Sequence, residues 1–110
     1  MNHVIVADTF KRDTKHLYKK FPSLKSEIGD LISSLEENAI QGVLIRPNCY
    51  KIRLAIASKG RGKSGGGRVI TCVFVEDEEV YLLTIFDKSD RENITDRELD
   101  ELLRAAGLFP

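Results

Sequence analysis

Several features are scarce in this sequence, and each absence excludes a class of protein. It has no tryptophan and only two cysteines, Cys49 and Cys72, which lack CxxC spacing and so do not resemble a four-ligand zinc site. No apolar run approaches the roughly 20 residues that a membrane span needs, which excludes a transmembrane protein. The N-terminal residues carry an early aspartate and do not resemble a secretory signal. We therefore expect a cytoplasmic protein with two reduced core thiols, although one disulfide could join them.

Size and overall composition are those of an ordinary globular protein. The chain has 110 residues, of which 42% are hydrophobic and 31% charged. That length fits one compact domain, which we expect to span residues 1–110. With 17 basic and 17 acidic residues the formal net charge is zero, which by itself argues against a nucleic-acid partner.

Acidic residues are absent from one long stretch, however. Residues 38–75 contain none of them, but they contain seven basic residues: Arg46, Lys51, Arg53, Lys59, Arg61, Lys63 and Arg68. The chain is therefore neutral but polarised. Such a concentrated positive block favours a phosphate-rich partner. The alternative is a solvated hairpin whose charges only keep a sheet edge soluble.

The hydrophobic pattern predicts the element order β-α-α-β-β-β-α. Strands are predicted at residues 2–7, 49–57, 68–76 and 80–86, which are rich in β-branched residues or alternate apolar and polar positions. The last three follow one another closely and should form an antiparallel meander. Helices packed on one face of that sheet would make the domain α+β.

Capping residues mark where the predicted helices begin and end. Asp8 or Thr9 caps the first helix, which ends before residue 22, a proline, and Ser23 caps the second, so that the two form a helical hairpin. Thr95 and Glu98 fit the capping box of a C-terminal helix, which residue 107, a glycine, would close.

Residues 60–68 (GRGKSGGGR) include the glycine-lysine-serine triplet of a phosphate-binding loop. That motif also requires a glycine at position 57, which holds Ala57, and a helix directly after the loop, where this sequence has a strand. We therefore reject nucleotide hydrolysis and expect no cofactor. A cationic loop remains, whose glycines let the backbone approach a partner and whose cations reach phosphates. A long hairpin loop without any ligand is the alternative.

Metal-free RNA cleavage is the chemistry that these residues allow. The RNA 2′-hydroxyl can attack the adjacent phosphate if the protein accepts its proton, stabilises the crowded phosphate and protonates the leaving oxygen. Lys51 and Arg53 project from one face of a strand, and Arg68 begins the next strand. Neighbouring cations favour the neutral form of an amine, which makes Lys51 a candidate general base. Arg46, Lys59, Arg61 and Lys63 are candidates for RNA attraction only.

Three segments in this order resemble the RelE/ParE toxin superfamily, and specifically its RelE/HigB-like branch. They are residues 47–55 (PNCYKIRLA), 60–70 (GRGKSGGGRVI) and 80–95 (VYLLTIFDKSDRENIT), and the resemblance covers the whole predicted order of elements. It implies the toxin of a type II toxin–antitoxin system that cleaves mRNA in the ribosomal decoding site. It also implies contacts with ribosomal RNA and a cognate antitoxin as the partner that neutralises the toxin.

The resemblance carries four residues into the catalytic site. Lys51 and Arg53 match a basic pair, Arg68 matches an arginine on the scissile phosphate, and Lys88 falls in a basic stretch after the last strand. Phe86 stands where relatives often carry a tyrosine, which leaves the general base unassigned. Two alternatives stay open: a non-catalytic binder, either a ParE-like gyrase poison or a degenerate toxin that binds only antitoxin, and a generic RNA-binding module.

Overall fold

The structure, a computed structural model, describes residues 1–60, 62 and 65–108 and contains one five-stranded sheet. Its helices and strands follow in the order β1 (His3–Val6), α1 (Asp8–Tyr18), α2 (Leu24–Glu37), β2 (Val43–Arg46), β3 (Cys49–Leu54), a 3-10 turn (Ala57–Lys59), β4 (Gly67–Phe74), β5 (Glu79–Asp87) and α3 (Asp96–Ala105).

The strands lie in the order β1-β5-β4-β3-β2. Strands β2 to β5 are antiparallel neighbours, whereas β1 pairs with β5 in parallel. The predicted α+β class and the antiparallel meander are confirmed. The predicted order was wrong in omitting β2, which is short and lies at the sheet edge with Val43 and Leu44 exposed. Without a buried face, those four residues lack the alternation by which a strand is recognised.

Helices cover both faces of the sheet, so the expectation that they share one face was wrong. Helices α1 and α2 pack on the face that carries Ile52, Leu54, Val69, Val73, Val80 and Leu82. Helix α3 packs on the opposite face through Leu99 and Leu103, against Cys49, Ile70, Cys72, Leu83 and Phe86. Because β4 and β5 are buried on both faces, their sequences are almost continuously apolar. Among the described residues, no helix has the length and apolar character needed to cross a membrane.

A bulge in β5 sets which side chains share the α3 face. Ile70 pairs with Thr84 and Thr71 pairs with Leu82, so that Leu83 is an additional residue in β5. Beyond the bulge, Phe86 lies opposite Arg68.

The start of β4 passes close to the end of β3. A Cβ atom added to Gly66 would lie 2.1 Å from the backbone oxygen of Leu54. Only glycine fits there without a backbone shift, which gives one residue of the glycine-rich segment a packing role.

Helix α3 begins with the predicted capping box, in which Thr95 Oγ1 accepts from the Glu98 amide at 3.1 Å and Glu98 Oε1 accepts from the Thr95 amide at 3.1 Å. We expect Thr95→Ala to lower the free energy of unfolding by about 1 kcal/mol, because one amide at the helix start loses its acceptor. Urea denaturation measures this loss. Thr95→Ser keeps the acceptor and is expected to keep most of the stability; an equal loss in both variants would contradict the assignment.

Candidate functional site

The candidate site lies on the α3 face, where β3 and β4 bring cations together. Ile52 and Leu54 of β3 point into the core beneath α1 and α2, and the strand alternation therefore directs Lys51 and Arg53 to the other face. Arg53 lies directly opposite Arg68 of β4. Like charges opposite each other on neighbouring strands destabilise a sheet. A negatively charged group beside Arg53 and Arg68 would offset that repulsion.

Arg68 is the most deeply placed of these cations, with 1% of its surface exposed. Its Nη1 donates to the carbonyl oxygen of Gly67 at 3.0 Å, and its Nη2 lies 3.1 Å from Glu92 Oε2. A buried charge is costly unless it is paired and hydrogen-bonded, so this carboxylate contributes to holding the guanidinium in place.

Glu92 lies in the segment between β5 and α3 and brings its carboxylate to several cations at once. Glu92 Oε1 is 3.9 Å from Lys51 Nζ, which also donates to Asn93 Oδ1 at 2.5 Å and to the Glu92 carbonyl oxygen at 3.3 Å. Desolvation acts to raise the pKa of Glu92, but the hydrogen bond and charge of Arg68 and the charges of Lys51 and Lys88 hold that pKa below its usual value. The neighbouring cations therefore stabilise the ionised form of the Glu92 carboxylate.

The structure thus brings together the four residues predicted to be catalytic. Lys51 and Arg68 lie within 4 Å of the Glu92 carboxylate, the charge of Lys88 also lowers its pKa, and Arg53 lies opposite Arg68. Lys88 is exposed, and its backbone amide donates to the Gly66 carbonyl oxygen at 3.0 Å, which ties the segment after β5 to the start of β4.

The four residues predicted to attract RNA are placed differently. Arg46 Nη1 lies 2.7 Å from Asp100 Oδ1 on α3, and Lys59 Nζ forms an ion pair with Asp87 and donates to the Gly65 carbonyl oxygen at 2.7 Å. The guanidinium of Arg46 and the ammonium of Lys59 thus both form ion pairs with carboxylates of the protein itself. Arg61 and Lys63 lie outside the described residues.

The segment after β5 is attached to α3 by Arg91. Its guanidinium carbon lies 4.6 Å from the centre of the Phe86 ring, and the same side chain forms an ion pair with Glu98 of the capping box. Beside the site, an open groove of 1020 Å³ has Lys51, Arg53 and Asn93 in its wall. An extended polymer lying in that groove would pass between Lys51 and Arg53 of β3 and the acidic residues Glu27 and Asp30 of α2.

Asp87 and Lys59 form a nearly buried ion pair with side-chain exposures of 5% and 10%. Desolvation acts to raise the pKa of Asp87, but hydrogen bonds from Lys59 and Ser89 and the Lys59 charge lower it overall. A lowered folded-state pKa stabilises the protein above about pH 4, the ordinary pKa of an aspartate, and this stabilisation is lost as the pH falls below it. We therefore expect the free energy of unfolding to fall between pH 5 and pH 2 or so.

Urea denaturation across that pH range tests the prediction, with Asp87→Asn as the control. The variant is less stable at neutral pH because Lys59 loses its partner, and its stability should fall less steeply in acid. Equal pH dependence in both proteins would contradict a stabilising role for the Asp87 carboxylate.

Glu92, Asn93 and Asp87 were not predicted as site residues. Each is identified by a contact that spans a long stretch of chain, such as the 24 positions between Arg68 and Glu92. No local spacing marks such a contact. One feature of the sequence pointed to Glu92, because it follows closely after Lys88, which was predicted to be catalytic.

Comparison with known proteins gives a consistent picture. Residues 7–109 match the family described as the RelE toxin of the RelE / RelB toxin–antitoxin system. The isolated E. coli RelE toxin superposes with a TM-score of 0.55 at 17% identity, over 94% of this chain and 98% of that one. An arginine-to-alanine double mutant of E. coli RelE in the free state gives a TM-score of 0.55 at 18% identity, over 96% and 94% of the two chains. At such identities the structural likeness concerns the fold.

Proposed function

Because the chain belongs to the RelE toxin family, we propose that this toxin inhibits translation as an endoribonuclease that cuts mRNA in the ribosomal decoding site. Membership of the family shows that the protein is a toxin and implies an antitoxin partner. The proposal adds that the toxin acts in the cytoplasm, where ribosomes work, that it depends on the ribosome and that it cleaves RNA.

The observation that supports the proposal most directly is that Arg68 and Lys51 both form ion pairs with the carboxylate of Glu92. The Glu92 oxygens lie 3.1 Å from Arg68 Nη2 and 3.9 Å from Lys51 Nζ. A carboxylate and a phosphate diester both present negatively charged oxygens, and arginine recognises both through its planar fork of donors. We therefore interpret Glu92 as occupying the place of the scissile phosphate, which it would yield when RNA enters.

The proposed reaction requires only groups of the protein and the RNA. The 2′-oxygen attacks the adjacent phosphorus and loses its proton to a general base, the role proposed for Lys51. Arg68 and Arg53 would stabilise the negative charge that develops on the phosphate oxygens. The bond to the 5′-oxygen then breaks, and an ammonium group, with exposed Lys88 as the candidate, donates a proton to that oxygen. The products are a 2′,3′-cyclic phosphate and a 5′-hydroxyl.

The antitoxin is proposed to act at the same face. Lys51, Arg53 and Lys88 are cations on this face, and acidic residues of a partner segment would complement their charges and speed association. An antitoxin segment lying in the groove beside Lys51 would exclude RNA without altering the fold.

A reconstituted translation reaction tests the proposal. We expect primer extension to reveal mRNA cuts that appear when the protein and translating ribosomes are both present, and that are missing with either alone. Addition of the cognate antitoxin should abolish them. Intact mRNA in the presence of folded toxin would overturn the ribonuclease proposal and favour a gyrase poison or a pure binding protein.

A further inference from the structure

The two cysteines lie directly opposite each other on neighbouring strands. Cys49 of β3 pairs in register with Cys72 of β4, and the residues are 1% and 3% exposed. The amide of Val73 donates to the carbonyl oxygen of Asn48 at 2.7 Å, so this backbone bond flanks the cysteine pair. The cysteines therefore occupy a non-hydrogen-bonded position of the antiparallel ladder.

That position has the dimensions of a disulfide. Cα atoms of a non-hydrogen-bonded pair are about 4.5 Å apart, and disulfides join Cα atoms separated by about 4.4 to 6.8 Å. Both side chains point to the α3 face, where they belong to one buried cluster. A bond between the sulfurs would thus need no large backbone movement.

Arg46 distinguishes the two thiols, because it pairs with Cys49 across the β2–β3 ladder and brings its charge to that side of the cysteine pair. The contact with the Cys72 thiol lowers the pKa of Cys49 against the opposing effect of burial, and the charge of Arg46 lowers it further. The contact with Cys49, together with burial, raises the pKa of Cys72. Since the thiolate is the reactive form, Cys49 is the thiol from which oxidation should start.

We propose that Cys49 and Cys72 form a reversible dithiol–disulfide site that responds to hydrogen peroxide. The Cys49 thiolate attacks one peroxide oxygen, the O–O bond breaks, and hydroxide leaves and takes up the proton that the thiol lost, which gives a sulfenic acid and water. Cys72 then attacks the sulfenic sulfur, an S–S bond forms, the S–O bond breaks and a second water leaves. Two thiols are oxidised and one peroxide is reduced.

Helix α3 controls access to this site. It covers the cysteines with Leu99 and Leu103, and the ion pair of Arg46 with Asp100 holds it against the sheet beside Cys49. Oxidation therefore proceeds through transient opening of α3. The disulfide would close a loop that includes Lys51, Arg53 and Arg68, so the two strands that carry the proposed RNA site would be fixed to each other. The oxidation itself does not depend on the proposed function.

The experiment treats the folded, reduced protein with hydrogen peroxide and follows intact mass and free thiols. We expect the wild-type monomer to lose two hydrogen atoms and both titratable thiols, and dithiothreitol to restore them. Cys72→Ser cannot resolve the sulfenic acid, so it should give a dimedone adduct at Cys49. Cys49→Ser should give much less adduct at Cys72, and circular dichroism verifies that both variants are folded.

Persistence of both thiols in the native wild-type protein would overturn the proposal, as would disulfides found only between molecules. Failure of dithiothreitol to restore the thiols would overturn the reversibility. Greater adduct formation in Cys49→Ser than in Cys72→Ser would overturn the assignment of Cys49 as the first thiol to react.

Discussion

Replacing Arg68 with alanine is expected to lower ribosome-dependent mRNA cleavage by about 100- to 1,000-fold, the effect of removing one preorganised donor from a developing oxyanion. Arg68 is held beneath the Glu92 carboxylate by its contact with the Gly67 carbonyl, and it lies opposite Arg53. Arg53 and Arg68 are the only arginines of the described residues that pair in register between β3 and β4. The rate of mRNA cleavage in a reconstituted translation reaction, quantified by primer extension, gives the measurement.

Two further variants make this result interpretable. Arg97→Ala removes the same charge from a side chain that is 90% exposed on α3, and it should leave cleavage close to wild type. Arg68→Lys keeps the charge but loses the planar fork of donors, so it should recover only part of the activity. Because Arg68 is buried, replacing it also affects the stability of the protein. Thermal unfolding therefore checks that each variant is folded. Wild-type cleavage by a folded Arg68→Ala protein would exclude Arg68 from the phosphate site.

The second large effect has the opposite sign. Replacing Glu92 with glutamine is expected to increase affinity for single-stranded RNA about tenfold, equivalent to about 1.4 kcal/mol, because the neutral amide competes less with phosphate for Arg68 and Lys51. The lowered pKa of Glu92 means that the wild-type carboxylate is charged at neutral pH and competes fully. Fluorescence anisotropy with a short labelled RNA, at fixed salt concentration, measures the affinity.

Glu101→Gln provides the matched control, because it removes one negative charge from an α3 side chain that is 62% exposed. Its affinity for RNA should change little. If Glu92→Gln binds RNA no more tightly than Glu101→Gln, Glu92 does not compete with phosphate. If Glu92→Gln binds tightly but cleaves more slowly, the carboxylate takes part in proton transfer as well.

Local sequence patterns predicted the elements whose cause is local. The capping box of α3 depends on Thr95 and Glu98, three positions apart, and was predicted and confirmed. Strands β3, β4 and β5 were predicted because their apolar residues alternate or run continuously. Strand β2 has no buried face, and its place at the sheet edge depends on pairing with β3, which local periodicity does not encode.

The site was predictable to the extent that it lies on regular strands. Alternation in β3 placed Lys51 and Arg53 on one face, and the register brings Arg53 opposite Arg68; the catalytic roles of these residues stay predictions. The Glu92 carboxylate depends on the path of the chain after β5 and could not be predicted. The face that α3 covers could not be predicted either, because β4 and β5 are apolar on both sides.

The parallel pairing of β1 with β5 has a consequence for synthesis of the chain. His3 pairs with Glu79, so the first strand to leave the ribosome has no partner until the last strand has been made. Contacts so distant in sequence slow folding, because a long loop must close before they form. Arg68 likewise needs β5, since Phe86 is its neighbour on that side. A nascent chain therefore cannot assemble the Arg68 site until most of its own message has been translated.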